Sequence, residues 1–174
     1  FLGINHAFVS DLYMRRAKAM GVTWVRSWFC KWEDVERAQG KFDFGEADTQ
    51  YQWIRQHGAN VLLCLSDPTS EWASTAPVTL SGSTGGEAQS PRVWWQPKSF
   101  TDYERYVREV ATHFKGEVRH YEVFNEPVDG KGGESGNLDL AHTYTMFLER
   151  AKSAIRAVSP ESRLMGTGLG YLKD

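Results

Sequence analysis

Cysteine is scarce in this chain: Cys30 and Cys64 are the two among 174 residues. Neither falls in a Cys-x-x-Cys or Cys/His pattern, so a structural zinc site is not expected. Both lie in or just after predicted strands, where a buried free thiol is the usual state. A disulfide between them stays open at this level. Excess charge is also missing. A net charge of −2 without charge blocks gives no electrostatic footprint for nucleic acid or anionic lipid. No apolar run is long enough to span a membrane, so no membrane partner is expected. No signal peptide is recognisable, yet Phe1 opens directly in an apolar run, so an upstream segment is expected to have been lost. No GxGxxG follows the first predicted strand, which weakens a dinucleotide-binding reading. No Schiff-base Lys or metal cluster stands at the strand ends, which ranks a lyase or aldolase last. No cofactor or metal is expected.

What is present is a core-forming pattern. Hydrophobic residues make up 41% of the chain and are spread along it, which fits one globular domain over 1–174 and excludes disorder. Strands and helices alternate. Leu2 to Asn5 reads as a short strand. Ser10 and Asp11 cap a helix running to Met20 and stopped by Gly21. Thr23 to Phe29 reads as a strand, and Lys31 to Phe44 as a structured loop. Asp43 opens a helix with Ala47, Tyr51 and Ile54 on one face. Asn60 to Leu65 is a continuous apolar strand.

The stretch from Ser66 to about Ser99 is long and irregular, which usually marks a functional loop. Thr101 and Glu104 form a capping box for a helix carrying Tyr103, Tyr106, Val107, Val110 and Phe114 at helical spacing. Val118 to Phe124 is a fourth strand. A Gly-rich loop then leads to a helix whose stripe is Tyr144, Phe147, Leu148, Ala151, Ile155 and Val158. Arg163 to Thr167 starts a fifth strand. This alternation builds an α/β parallel sheet, either doubly wound or part of a (β/α)8 barrel. The long segments follow the C-terminal ends of strands two, three and four, where barrels place their active-site loops. A closed barrel typically needs roughly 250 residues, so four βα units plus a fifth strand is what this length holds.

The sharpest chemical signal is Val118-Arg119-His120-Tyr121-Glu122-Val123-Phe124-Asn125-Glu126-Pro127. An apolar strand ends in an amide and a carboxylate at the rim of a pocket. Seven Trp is the second signal, several of them in loop-like segments. Trp28, Trp72 and Trp95 are open between packing and stacking on sugar rings. Asn5 and the weaker candidate His6 end the first strand, where they would line a subsite. His57, His113, His120 and His142 show no ligand spacing. Glu122 shares strand parity with Glu126, so it can point inward and meet a cation such as Arg26.

These residues resemble the clan of retaining (β/α)8 glycoside hydrolases, in which an Asn-Glu pair ends strand four. Trp24-Val25-Arg26 resembles the clan's arginine at the end of strand two. Trp32-Glu33-Asp34-Val35-Glu36 with Gly40-Lys41-Phe42-Asp43-Phe44 resembles the stretch that follows it, and Asp67-Pro68-Thr69 with Trp72 resembles the loop after strand three. The likeness covers nearly the whole chain and is closest to the branch holding β-xylosidases and α-L-iduronidases. It implies a partial (β/α)8 barrel, with Glu126 as general acid/base, Asn125 bonded to the sugar 2-hydroxyl and Arg26 supporting the nucleophile. The nucleophile would be a Glu ending strand seven, in a C-terminal part this chain lacks. The expected partner is an oligosaccharide or glycoside. The isolated chain is expected to be inactive and to self-associate or pair with the missing barrel half. A non-catalytic, carbohydrate-binding half-barrel is the alternative. The substrate class leans toward a secreted or periplasmic site.

Overall fold

The computed structural model describes residues 2–5, 9–65, 69–77, 95–125 and 140–167. Five strands form one sheet: β1 (Leu2–Asn5), β2 (Val22–Ser27), β3 (Asn60–Leu65), β4 (His120–Val123) and β5 (Arg163–Met165). Every neighbouring pair is parallel, and the spatial order is β1-β2-β3-β4-β5. A doubly wound sheet reverses its strand order at a switch point. An order that follows the chain is how a (β/α)8 barrel is built. The helices between the strands are α1 (Asp11–Ala19), α2 (Trp32–Val35), α3 (Gly45–Gln56), α4 (Phe100–His113) and α5 (Leu140–Val158).

Local chemistry explains most boundaries. Ser10 caps α1 by accepting from the Tyr13 N–H, and Gly21, at φ 83°, takes the left-handed turn that ends it. Helix α4 starts two residues earlier than the Thr101–Glu104 box implies. Its cap is Ser99, whose hydroxyl accepts from the Thr101 N–H. Glu104 is drawn elsewhere, accepting from Arg108, Arg150 and Ser153. Those tertiary partners outcompete the local box.

The segment 31–44, read from sequence as a loop, contains the one-turn helix α2. The expected stripes of α3 and α4 are buried: Ala47, Tyr51 and Ile54, then Tyr103, Tyr106, Val107, Val110 and Phe114. Phe147, Ala151 and Ile155 do the same for α5. They meet the helix-facing strand residues Val25, Val61, Leu63, Tyr121 and Val123 in one core. Aromatic rings dominate its centre, where Trp32 stacks on Tyr106 at 5.4 Å and Tyr103 meets Phe147 edge-on at 4.7 Å. Both cysteines are buried and free, which resolves the open disulfide question.

The other face of the sheet is concave. Strand alternation places Gly3, Asn5, Trp24, Arg26, Leu62, His120 and Met165 around a cavity of about 540 Å³ on that side. Apolar surface remains open at its flanks, with Leu2 48% and Met165 43% exposed.

Candidate active site

The site is built where β1, β2 and β4 end. Arg26, the penultimate residue of β2, projects onto the concave face and pairs in register with Asn5 on one side and Leu62 on the other. Glu122 lies two strands away, on β4, opposite Cys64 of β3. The guanidinium bridges that gap. Its Nε donates to Glu122 Oε2 at 2.6 Å and its Nη2 to Glu122 Oε1 at 3.0 Å. This two-pronged ion pair is shielded, the side chains being 19% (Arg26) and 4% (Glu122) exposed. The same guanidinium gathers three further groups. Nη2 donates to Asn125 Oδ1 at 2.9 Å and approaches Cys64 Sγ at 3.5 Å, while Nη1 donates to Asn5 Oδ1 at 3.0 Å. The Trp28 ring lies over it, with its centroid 5.5 Å from Arg26 Cζ.

Asn125 reaches this cluster through an unusual backbone. Phe124 has φ 72°, in the left-handed region that costs a residue with a Cβ about 1–2 kcal/mol. Simple alternation from His120 and Glu122 would turn Phe124 to the concave face. Instead its ring packs on Tyr144 and Phe147 of α5. The twist ends β4 and brings Asn125, which alternation would send toward the helices, onto Arg26. The conformation is held on several sides. Phe124 N donates to Leu65 O at 3.2 Å, and Cys64 Sγ donates to Phe124 O at 3.2 Å. The Tyr144 hydroxyl accepts from Thr167 N at 2.7 Å and donates to Val123 O at 3.4 Å, tying the ends of β4 and β5 together. Burial holds the Tyr144 phenol above the usual tyrosine range, so it remains a neutral donor.

The inward orientation of Glu122 expected from strand parity is present. Its extension to position 126 is not a safe step, because alternation breaks at Phe124. Glu126 and His6 lie outside the described residues, as do Asp67 and Pro68. The tryptophans divide. Trp28 belongs to the Arg26 cluster. Trp72 packs edge-on against Trp32 at 5.8 Å and donates to Glu36 O at 2.9 Å, with Arg105 over its ring at 6.0 Å. Trp95 is half-buried, and its carbonyl accepts from the Thr69 hydroxyl. Its indole N–H is buried without a hydrogen-bond partner among the described residues.

Glu36 was quoted from sequence as part of the Trp32–Glu36 stretch, with no role given to it. Its carboxylate is fully buried and accepts from Trp32 Nε1 at 2.5 Å, Gly40 N at 2.6 Å and Arg105 Nη2 at 2.8 Å. Its carbonyl accepts from Trp72 Nε1 and Ser70 Oγ. It therefore knits the loops after β2 and β3 to α4. The Trp32/Glu36 spacing of four residues on a helical turn was the available signal.

The fold and the sequence together define the class: the N-terminal portion of a (β/α)8 glycoside hydrolase. More narrowly, the chain belongs to glycosyl hydrolase family 10, whose model matches residues 21–166. Endo-1,4-beta-xylanase B of Humicola insolens is 29% identical over 96 residues, covering 55% of this chain and 23% of that protein. Endo-1,4-beta-xylanase A of Phanerodontia chrysosporium is 24% identical over 134 residues, covering 77% of this chain and 30% of that protein. The chain thus spans between a fifth and a third of the length of these two curated relatives. Among solved structures, a family 39 glycoside hydrolase from Bacteroides cellulosilyticus WH2 superposes with a TM-score of 0.62 at 17% identity, over 95% of this chain and 31% of that one. Endo-glycoceramidase II from Rhodococcus sp. superposes at 0.67 with 20% identity, over 94% and 48%. The clan resemblance holds, and the matching family is family 10.

Proposed function

We propose that this chain supplies the acid/base side of a retaining O-glycosidase acting on a β-1,4-linked polysaccharide of the xylan type. The supporting observation is Asn125. It is the residue bonded to Glu126, and Arg26 holds it at the C-terminal rim of a parallel sheet. Hydrolysis through an oxocarbenium-like state needs a proton on the leaving oxygen and a second carboxylate roughly 5–5.5 Å away to attack the anomeric carbon. Glu126 is the donor. Glu122 is engaged by Arg26, so the nucleophile is a further Glu outside these 174 residues. Arg26 supports that nucleophile, Asn125 meets the sugar 2-hydroxyl, and Trp28 and Asn5 line the subsite, with His6, Trp72 and Trp95 as the further candidates for contact with the sugar. The substrate class follows the names of the curated relatives.

Two measurements test this on the protein as it is encoded, with any sequence that flanks these residues. Proton NMR during xylan hydrolysis is expected to show the β-anomer released first; initial α-anomer contradicts a retaining mechanism. Glu126→Gln is expected to lower xylan turnover on the order of 10²–10⁴-fold. Unchanged turnover removes Glu126 from the reaction.

The 174 residues alone, lacking one carboxylate, are expected to show no turnover. Their open concave face and the edges of β1 and β5, unpaired among the described residues, are expected to drive self-association or pairing with a complementary set of strands. Sedimentation of the isolated chain checks this, and a monodisperse monomer speaks against it. The binding-module alternative leans on exposed tryptophans, and the engagement of Trp72 with Glu36 and Trp32 disfavours it.

A further inference from the structure

A guanidinium carries donors only, so any amide facing it must present oxygen. Both amides around Arg26 do so: Asn125 Oδ1 at 2.9 Å and Asn5 Oδ1 at 3.0 Å. Their NH2 groups are thereby turned away from Arg26, and neither has a hydrogen-bond partner among the described residues. What fixes the guanidinium is Glu122. It is the one carboxylate bonded to Arg26 among the described residues, it takes Nε and Nη2 together, and its side chain is 4% exposed. Both oxygens of the buried carboxylate are bonded to Arg26. The carboxylate sets the plane of the guanidinium, and that plane sets which edge of Asn125 faces outward.

We infer that Glu122 is a positioning residue: through Arg26 it locks Asn125 with its NH2 outward, making position 125 an obligatory donor to an oxygen acceptor on the saccharide. The inference rests on the glycosidase reading and deepens it. For that reaction the acceptor is the 2-hydroxyl oxygen of the reacting sugar. Loss of Glu122 frees the guanidinium to rotate and lets the amide flip, presenting oxygen where a donor is needed.

The test uses the protein as encoded, an aryl β-xylobioside, and its analogue lacking the 2-hydroxyl on the reacting sugar. Glu122→Gln keeps the side-chain volume but puts an NH2 where Arg26 needs an acceptor. It is expected to lower kcat on the order of 10- to 100-fold on the hydroxylated substrate, as misplacement of a catalytic contact does. On the 2-deoxy analogue the loss is expected to stay within about threefold, because the contact it disturbs is already gone. Glu122→Asp keeps the charge but is too short to reach Nε and Nη2 together. It is read by the same ratio should Glu122→Gln not fold. Equal losses on the two substrates, or no loss on either, overturn the positioning role while leaving the glycosidase reading intact. A wild type that cleaves neither substrate nor xylan overturns both.

Discussion

Two buried carboxylates, Glu36 and Glu122, show how differently the same group is used in one fold. Glu36 is 0% exposed and enclosed by neutral and charged donors from three segments: Trp32, Gly40 and Arg105. Its surroundings are loop bases and the end of a helix, so its bonds hold loops in place. Glu122 lies 3% exposed on a strand and binds Arg26 through both carboxylate oxygens, and that arginine opens onto the concave face. One carboxylate closes a network, and the other passes its orientation outward to Asn125. Burial alone does not separate these roles; the destination of the second partner does.

The comparison makes ordered predictions. Glu36→Ala strands the buried Trp32 Nε1, takes an acceptor from Gly40 N and leaves Arg105 with Asp102 alone, and is expected to cost about 3–5 kcal/mol of folding stability, the range for breaking a buried pair. Denaturant unfolding measures it, and the folded fraction is expected to keep its specific activity. Loss of activity without loss of stability would put Glu36 in the same role as Glu122. For Glu122→Gln the stability cost is expected to be smaller, about 1–3 kcal/mol, because Arg26 can be hydrated from the cavity side. Its main effect falls on kcat. The smallest effect concerns His120, which lines the concave face and meets Trp24 edge-on at 4.8 Å. Burial first, then Arg163 and Arg119, hold its imidazole below the usual value of 6.5. The unfolded chain therefore binds the proton more readily. Stability is complete above 6.5 and is lost as pH falls from there through the lowered folded-state value. Unfolding curves across this range are expected to flatten in His120→Gln.

Much of the fold was legible because hydrophobic periodicity and turn chemistry agree. The bounds of β1 and β3 match their apolar runs, and Ser10 and Gly21 bracket α1 as capping rules require. Strand-following order, and hence the barrel rather than the doubly wound sheet, was inferred from where the long segments fall. The misses have physical causes. The capping box at Thr101 failed because Glu104 has better partners on α4 and α5. The short α2 was hidden because a single turn carries too little periodicity to register. At the site, the meeting of Arg26 and Glu122 was readable from strand parity. The left-handed Phe124 was not: nothing in a phenylalanine advertises a positive φ, and the conformation is imposed by Cys64, Leu65 and the rings of α5. That single residue decides that Asn125 joins Arg26.

The most direct test of the central claim is the leaving-group dependence of Glu126→Gln in the protein as encoded. A proton donor matters least when the departing group is already a stable anion. The variant is therefore expected to be crippled on an unactivated xylo-oligosaccharide and to recover most of its rate of glycosyl transfer on a dinitrophenyl β-xylobioside. An equal loss on both substrates, or no loss on either, would contradict a proton donor at position 126.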